Sequence, residues 1–254
     1  MLTAHAESET GPVRSVNEDA WLVAPEIGLF AVADGMGGHN AGEVASQLAL
    51  EALGGFIRRS EGHSDLSWPY GVDPELTFLA NRLRTGIHLA NRRVFRAAEG
   101  HDDYTGMGTT LVGLLVDGSR AVIGHVGDSR LYRLSQGGEF GPITKDDSWA
   151  AALRAQGLAA EELSQHPMRH VLTNVVGAKD QVDAHLAEMD VSEGDCFLLC
   201  SDGLYDPMGD EELRRVLAGS DTAHEKARAL VARALELGSR DNVTALVVCI
   251  GGLT

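Results

Sequence analysis

The stretch Leu29-Phe30-Ala31-Val32-Ala33-Asp34-Gly35 is an apolar run that ends in an aspartate and a glycine. A run of this length predicts a buried β-strand with the carboxylate at its rim. Three further aspartates border apolar runs in the same way: Asp128 after 122–126, Asp202 after 197–200, and Asp241 before 243–250. A carboxylate at such a rim loses its hydration, and four that converge would repel one another. Because a bound cation is the usual compensation, the pattern predicts a metal site built at strand ends.

Other strand-like and helix-like runs predict an α+β layered fold. The strand-like runs lie at about 20–24, 28–33, 110–116, 121–126, 130–134, 182–189, 196–201 and 243–250. Short turn signals such as Asp117-Gly118 join several of them, as in antiparallel hairpins. Apolar residues at helical spacing predict helices at about 41–59, 74–98, 210–218 and 222–237, with Pro74 in a first turn. Groups of strands alternating with groups of helices are typical of sheets covered by helices.

Composition limits the classes of function. The chain has 254 residues, with no linker or low-complexity segment, so we expect a single domain over 1–254. It carries 37 Asp and Glu against 21 Lys and Arg, which argues against nucleic acid or an anionic membrane as the main partner. The first residues lack a signal-peptide pattern, and no apolar stretch approaches membrane-spanning length.

The three cysteines, Cys196, Cys200 and Cys249, all lie in strand-like apolar runs. Their odd number and the absence of metal-ligand spacing predict unpaired, buried thiols rather than a disulfide framework. Cysteine usage of this kind fits a reducing compartment, so we expect a cytoplasmic protein.

The predicted metal site suits hard cations and phosphate chemistry. Aspartate and backbone carbonyl oxygens favour Mg²⁺ or Mn²⁺ over softer metals. Two such ions about 3.5–4 Å apart, sharing a bridging water, are a standard device for phosphoester hydrolysis. Arg14 is the candidate to bind phosphate, because a guanidinium binds phosphate oxygens bidentately. The alternative for Arg14 is a surface ion pair with Glu18 or Asp19.

The glycine-rich stretch 35–43 does not fit a nucleotide-binding loop. Gly37 and Gly42 have P-loop spacing, but Glu43 stands where that loop needs lysine. Asn40 stands where the dinucleotide fingerprint needs its third glycine. We therefore expect the glycines to let the backbone approach a metal while the chain turns into a helix at Ala41.

Taken together, the motifs resemble the bacterial form of the metal-dependent Ser/Thr protein phosphatases of the 2C type, the PPM family. The matching segments follow the order of the family and cover nearly the whole chain: 11–14 with 17–20, 33–39, 108–110, 126–130, 171–173 before Gly177, 200–204, and 239–244. The resemblance implies a four-layer α/β/β/α sandwich, in which two central antiparallel sheets are flanked by helices. It also implies a cleft for metals at one end.

A long polar, alanine-rich segment at about 145–170 lies between predicted strands, where a short turn would suffice. The resemblance identifies this segment as the variable flap subdomain beside the cleft. Asp146 and Asp147 at its start fit a turn, a helix cap or the wall of the cleft. His166 and His170 at its end fit simple packing.

The resemblance also implies roles for individual residues. It implies two tightly bound Mn²⁺ or Mg²⁺ ions and allows a third, weaker one. The metal-binding residues it implies are Asp34 as bridge, the Gly35 carbonyl on the first ion, Asp202 and Asp241 on the second, Glu18 and Asp19 through water, and Asp128 with Asp202 on the third. Arg14 would bind the substrate phosphate.

The source of the proton for the leaving group stays open. Animal members of the family have a histidine directly after the Asp-Gly pair, whereas this chain has Met36. The candidates are a water on the metal, which we favour, and His39. A histidine in a glycine-rich loop can also serve only to hydrogen-bond its own loop.

We therefore expect hydrolysis of phosphoserine and phosphothreonine in proteins, by direct attack of water and without a phosphoenzyme. The expected partners are phosphorylated proteins, a Ser/Thr kinase and its substrates, and the expected state is a monomer. One alternative is a catalytically weak scaffold that binds phosphoproteins, although no metal ligand is missing from the sequence. Another is a phosphatase for an anti-sigma-factor antagonist, which keeps the chemistry and changes the partner.

Overall fold

Two antiparallel sheets form the centre of the molecule. The computed structural model describes residues 1–38, 41–62, 68–158, 166, 168 and 170–252. The first sheet contains, in spatial order, β1 (Leu2–Glu9), β11 (Val243–Ile250), β10 (Cys196–Cys200), β7 (Arg130–Leu134) and β8 (Phe140–Pro142). The second contains β2 (Asp19–Ala24), β3 (Leu29–Met36), β5 (Leu111–Asp117), β6 (Arg120–Val126) and β9 (His185–Asp190), and β4 (Gly108–Thr109) pairs with β3.

Helices cover the outer face of each sheet. The helices α1 (Ala41–Arg59) and α2 (Phe78–Gly100) share one apolar cluster with the second sheet. The helices α4 (Asp202–Leu217) and α5 (Ala223–Glu236) share another with the first sheet. A shorter helix, α3 (Trp149–Ala155), lies in the predicted flap, and two 3₁₀ turns span Pro25–Ile27 and Asp102–Tyr104.

A third apolar cluster fills the space between the two sheets. Phe30 and Val32 of β3 lie in it together with Phe197 and Leu199 of β10. The alternate residues of β3, such as Leu29, pack under the helices instead. Burial of β3 on both faces explains why its sequence is continuously apolar rather than alternating. The layers are therefore helix, sheet, sheet and helix, and the predicted sandwich is confirmed.

Several element boundaries differ from the sequence prediction for local reasons. The helix α2 begins after Thr77, whose hydroxyl accepts a hydrogen bond from the Ala80 N–H at 3.1 Å, so Pro74 lies before the helix. The helix α4 begins at Asp202 and is kinked near Pro207 and Gly209, and the prediction at 210–218 covered only its second part. The strands β1, β4 and β8 were not predicted.

The prediction of unpaired cysteines is wrong for two of the three. Cys196 and Cys249 lie directly opposite each other on β10 and β11 and form a disulfide, with 4.2 Å between their Cα atoms. Cys200 is free and buried, as expected. The disulfide joins residues 53 positions apart, and only strand register brings them together. Cysteine usage thus no longer supports a reducing compartment.

The predicted flap is described only in part, since 159–165, 167 and 169 lie outside the described residues. At its start, the Ser148 hydroxyl caps α3 by accepting from the Ala151 N–H at 3.2 Å. A bridge between Ser148 and Leu172 closes the base of the segment. Within the described part of the chain, no helix is both long and apolar enough to cross a membrane.

Candidate active site

The ends of strands from both sheets meet at one cleft of about 1130 Å³. The sequence-predicted residues that line it are Arg14, Glu18, Asp34, Gly35, Asp128, Asp202 and Asp241. Asp19 lies directly behind them, because it is the cross-strand partner of Asp34 in the β2–β3 pair. Met36 also lines the cleft, whereas His39 lies outside the described residues. The face-to-face packing of two sheets therefore brings together carboxylates that are far apart in sequence.

Two threonines fix the backbone at Asp34. The Asp34 N–H donates to the Thr110 hydroxyl at 2.9 Å, and the Asp34 carbonyl accepts from the Thr110 N–H at 2.8 Å. The Thr109 hydroxyl donates to the same carbonyl at 2.9 Å. Both threonines are almost completely buried. The segment 108–110 was part of the sequence resemblance, but its task of holding Asp34 could not be read from spacing.

Glycines allow the loop after Asp34 to pack against Glu18. The Gly35 N–H donates to the Glu18 carbonyl at 3.1 Å. A Cβ atom at Gly35 would lie 2.0 Å from the Gly42 carbonyl oxygen, and one at Gly42 would lie 2.4 Å from Glu18 Oε1. The glycines are thus required for close approach between this loop and Glu18, and the predicted approach of the backbone to a metal stays a prediction.

The buried carboxylates lack full compensation. Asp19 Oδ2 accepts from the hydroxyls of Ser201 at 2.7 Å and Thr244 at 2.6 Å, but its Oδ1 is buried without a partner. Asp202 Oδ1 is also buried without a partner. Burial raises the pKa of Asp19 to about 6. Burial, and then the charge of Asp128, raises the pKa of Asp202 to about 8. Burial and neighbouring carboxylates, Asp19 first, also raise the pKa of Asp34.

Arg14 pairs with Asp241 rather than with Glu18 or Asp19. Its Nη2 donates to Asp241 Oδ2 at 2.6 Å, and the side chains are 49% and 36% exposed. This hydrogen bond is the main cause that raises the pKa of Arg14. The guanidinium therefore stands at the open side of the cleft, where solvent and ligands have access.

Asn242 organises the segment that carries Arg14 and Glu18. Its Oδ1 accepts from the Glu18 N–H at 2.8 Å, and its Nδ2 donates to the carbonyls of Thr10 at 2.9 Å and Val16 at 3.0 Å. Its own N–H donates to Asp241 Oδ1 at 2.8 Å. In the sequence, Asn242 was noted only as part of the matching segment 239–244. Its position next to Asp241 was the available signal that it supports the site.

The start of the flap braces the loop that carries Asp128. Asp147 Oδ2 accepts from the Gly127 N–H at 3.1 Å, and Arg130 donates twice to Asp146 at 2.8 and 2.7 Å. Burial, and then the charge of Asp146, raises the pKa of Asp128 to about 7. Asp146 and Asp147 thus support the loop that carries Asp128, whereas Ser148 is the residue that caps α3, and neither aspartate lies in a turn or lines the cleft.

The donor set fits a hard cation, although it is not a closed cage. Among the described residues, no three His, Cys, Asp or Glu side chains are already grouped tightly enough to hold a metal. The cleft nevertheless offers oxygen donors, which include Asp202 with its uncompensated Oδ1, and Asp19 with its own uncompensated Oδ1 lies directly behind them. Buried carboxylates of this kind are usually paired or bound to a metal. The described carboxylates of the cleft therefore fit Mg²⁺ or Mn²⁺, and no cysteine lies among the described residues that line it.

Comparison with known proteins identifies the family. The model of the family described as Protein phosphatase 2C matches residues 13–238, so the chain belongs to this family. The serine/threonine protein phosphatase PstP of Mycobacterium tuberculosis is 39% identical over 248 residues, which are 97% of this chain and 45% of that protein. The chain thus spans less than half the length of this relative. The serine/threonine phosphatase stp of Listeria monocytogenes is 34% identical over 250 residues, covering 96% of this chain and 95% of that protein.

Solved structures agree with this assignment. The M. tuberculosis phosphatase PstP/Ppp superposes with a TM-score of 0.85 at 37% identity and covers 99% of both chains. The catalytic domain of PstP in complex with two manganese ions has a TM-score of 0.82 at 36% identity, again over 99% of both chains.

Proposed function

We propose that this protein hydrolyses phosphoserine and phosphothreonine in proteins, with two Mn²⁺ or Mg²⁺ ions held by the cleft. The observation that carries the proposal is the convergence of Asp34, Asp202 and Asp241 with Arg14 in one cleft. The manganese-bound PstP structure supports it by analogy. Oxygen donors for cations beside a guanidinium are what the hydrolysis of a phosphate monoester requires.

The carboxylates divide into roles by position. Asp34 would bridge the two ions, and the Gly35 carbonyl would bind the first; Asp202 and Asp241 would bind the second. Glu18 and Asp19 would act through water, and Asp128 would share a third, weaker ion with Asp202. When bound, such ions neutralise phosphoryl oxygens and make a water molecule more acidic.

The remaining residues bind and orient the substrate. Arg14 is half exposed at the cleft, so its guanidinium is available to a phosphate while Asp241 holds it in place. Without cations, the acidic wall would repel an anionic ester. Among the described residues that line the cleft, the one histidine is His170. It joins His39 and a water as a candidate to hold the proton for the leaving alkoxide.

The test is phosphate release from a phosphothreonine peptide with Mn²⁺ and in EDTA. We expect turnover with Mn²⁺, its loss in EDTA and its return on adding excess Mn²⁺. Equal turnover in EDTA would rule out the proposed chemistry. The variant Asp190→Asn, at the far end of β9, serves as a control for a general effect of removing a carboxylate.

The scaffold alternative predicts metal binding without turnover, and no observation favours it. Calorimetric Mn²⁺ titration combined with the turnover assay separates the two functions. Dephosphorylation of an anti-sigma-factor antagonist keeps the same cleft and is tested with that phosphoprotein as substrate. A kinase partner, a cytoplasmic location, a monomeric state and a single domain over 1–254 stay predictions from the sequence.

A further inference from the structure

A groove of about 630 Å³ between α1 and α2 carries a concentration of arginines. Its apolar part includes Val44 and Leu48 of α1. Its basic part consists of Arg92, Arg93 and Arg96, which lie within five consecutive residues of α2. The described residues that line it include no aspartate or glutamate. It is thus a basic, partly apolar surface on a chain whose net charge is −16.

The three arginines have no counter-charge within the described structure. No ion pair or hydrogen bond of their side chains exists among the described residues, although Glu99 lies three positions after Arg96. Arg92 and Arg96 are spaced i, i+4, so their charges face each other and weaken the helix slightly. Arg58 and Arg233, by contrast, each pair with glutamate. These three uncompensated arginines therefore favour a negatively charged partner.

The groove is connected to the candidate active site at one end. Val44 lies seven residues after Gly37, which lines the cleft. On the other side, Tyr104 lines the groove, and its carbonyl accepts from the Met107 N–H at 3.1 Å. The next residue, Gly108, pairs with Met36 of the cleft. Two short stretches of sequence thus join residues of the groove to residues of the site.

We propose that this groove binds an acidic segment of the phosphoprotein substrate, outside the phosphorylated residue itself. The inference rests on the proposed phosphatase function and adds a preference for one class of substrate. The arginines would pair with Asp or Glu side chains, and the floor at Val44 and Leu48 would receive an apolar side chain between them. The acidic character of the rest of the protein disfavours nucleic acid as the occupant.

The test compares two phosphothreonine peptides that differ only in an added segment. One has neutral flanks, and the other carries an added acidic segment with a central leucine, at several spacer lengths. We expect the acidic peptide to have a kcat/KM about three- to tenfold higher, the range given by a few exposed ion pairs. The double variant Arg92→Glu/Arg96→Glu should lose this preference and keep its turnover of the neutral peptide.

A matched control is Arg59→Glu/Arg228→Glu, which makes the same change of charge at exposed residues outside the groove. It should keep the preference, whereas added salt should weaken the preference of wild-type protein, because salt screens exposed ion pairs. If the charge reversal disturbs α2, the variant Arg92→Gln/Arg96→Gln replaces it and should also lose the preference for the acidic peptide. Thermal unfolding verifies that each variant is folded.

A binding measurement that needs no turnover tests the groove independently of the proposed phosphatase function. Fluorescence anisotropy of the labelled, non-phosphorylated acidic segment should show binding to wild-type protein and about three- to tenfold weaker binding to the groove variant. Equal kcat/KM for both peptides at every spacer length would overturn the inference. Equal losses in the groove and control variants, or binding of an oligonucleotide in place of the peptide, would also overturn it. Failure to hydrolyse the neutral peptide would instead count against the phosphatase function.

Discussion

At the scale of single residues, the cleft combines side chains that destabilise the fold with others that hold them in place. Asp34, Asp19 and Asp202 are buried carboxylates whose pKa values are raised. Thr110 and Asn242 supply the hydrogen bonds that fix the backbone around them. The sequence could predict the carboxylates, because aspartate at the end of an apolar run is unusual. It could not predict the supporting hydrogen bonds, because they depend on contacts between distant strands.

The variant Asp34→Asn separates function from stability. It should lose nearly all turnover of the phosphothreonine peptide, because the proposed bridging carboxylate is removed. Its midpoint of thermal unfolding in EDTA at pH 8 should not fall, since an uncharged amide relieves repulsion from Asp19 and Asp202. Phosphate release and thermal unfolding provide the two measurements. Turnover like that of wild type would contradict the bridging role. The control is the variant Asp117→Asn, which removes the charge of an exposed aspartate at the other end of the sheet.

The variant Asn242→Ala should be both less stable and less active. It leaves the Glu18 N–H and two carbonyls without their partner in a buried region, at a cost of about 1–3 kcal/mol. The loss also frees the segment that carries Arg14, so kcat/KM should fall. Asn81→Ala is matched to it: Asn81 is also buried and accepts from the Asp73 N–H at 2.8 Å, but it lies at the start of α2. Chemical denaturation should show a similar loss of unfolding free energy for both variants. An equal loss of specific activity in both variants would contradict the role of Asn242 in the site.

At the scale of elements, the sequence predicted what is buried on both faces and missed what is exposed at an edge. The strand β3 was predicted because its residues are apolar without interruption. The strand β1 was missed because it is a partly exposed strand at the edge of its sheet. Nearly every second residue of it is polar, so it contains no continuous apolar run. The start of α4 was missed because Pro207 and Gly209 suggest a break, and the structure accommodates them with a kink. The Cys196–Cys249 pair depends on register between β10 and β11, which no local pattern specifies.

Two glycines of α1 should respond in opposite ways to alanine. Gly42→Ala would place a Cβ atom 2.4 Å from Glu18 Oε1 and 2.8 Å from the Gly35 carbonyl carbon, so we expect a loss of about 1–3 kcal/mol and of activity. Gly55→Ala meets only the flexible end of Arg59, at 3.2 Å, and should stabilise the protein by about 0.5–1 kcal/mol. Denaturant unfolding of both variants measures the difference. If Gly42→Ala were as stable and active as Gly55→Ala, the close approach would not constrain the loop.

At the scale of the whole molecule, the functional cleft follows from two sheets that end at the same place. The sequence indicated layers of strands and helices, and the order of motifs supplied the family. What it could not supply was the packing that puts β3 of one sheet beside β10 of the other, with Phe30 and Val32 against Phe197 and Leu199. The same packing leaves the carboxylates at the rim to repel one another. Overall charge was also a poor guide to detail, because the acidic chain carries a basic groove between α1 and α2.

The acidic rim should make the stability of the whole protein depend on divalent cations. A ligand that binds only the folded state at about 100 times its Kd adds about 2.7 kcal/mol, and each kcal/mol raises the unfolding midpoint of a chain this size by about 2–4 °C. We therefore expect Mn²⁺ to raise the midpoint by about 5–10 °C relative to EDTA. KCl at equal ionic strength should do much less, because screening does not satisfy the buried Oδ1 atoms of Asp19 and Asp202. In the double variant Asp34→Asn/Asp202→Asn, the shift with Mn²⁺ should disappear while its midpoint in EDTA stays at or above that of wild type. A shift of the midpoint of equal size in this variant would place the cation elsewhere on the molecule. No shift in wild type would mean that hydrogen bonds with water already compensate the buried carboxylates of the rim.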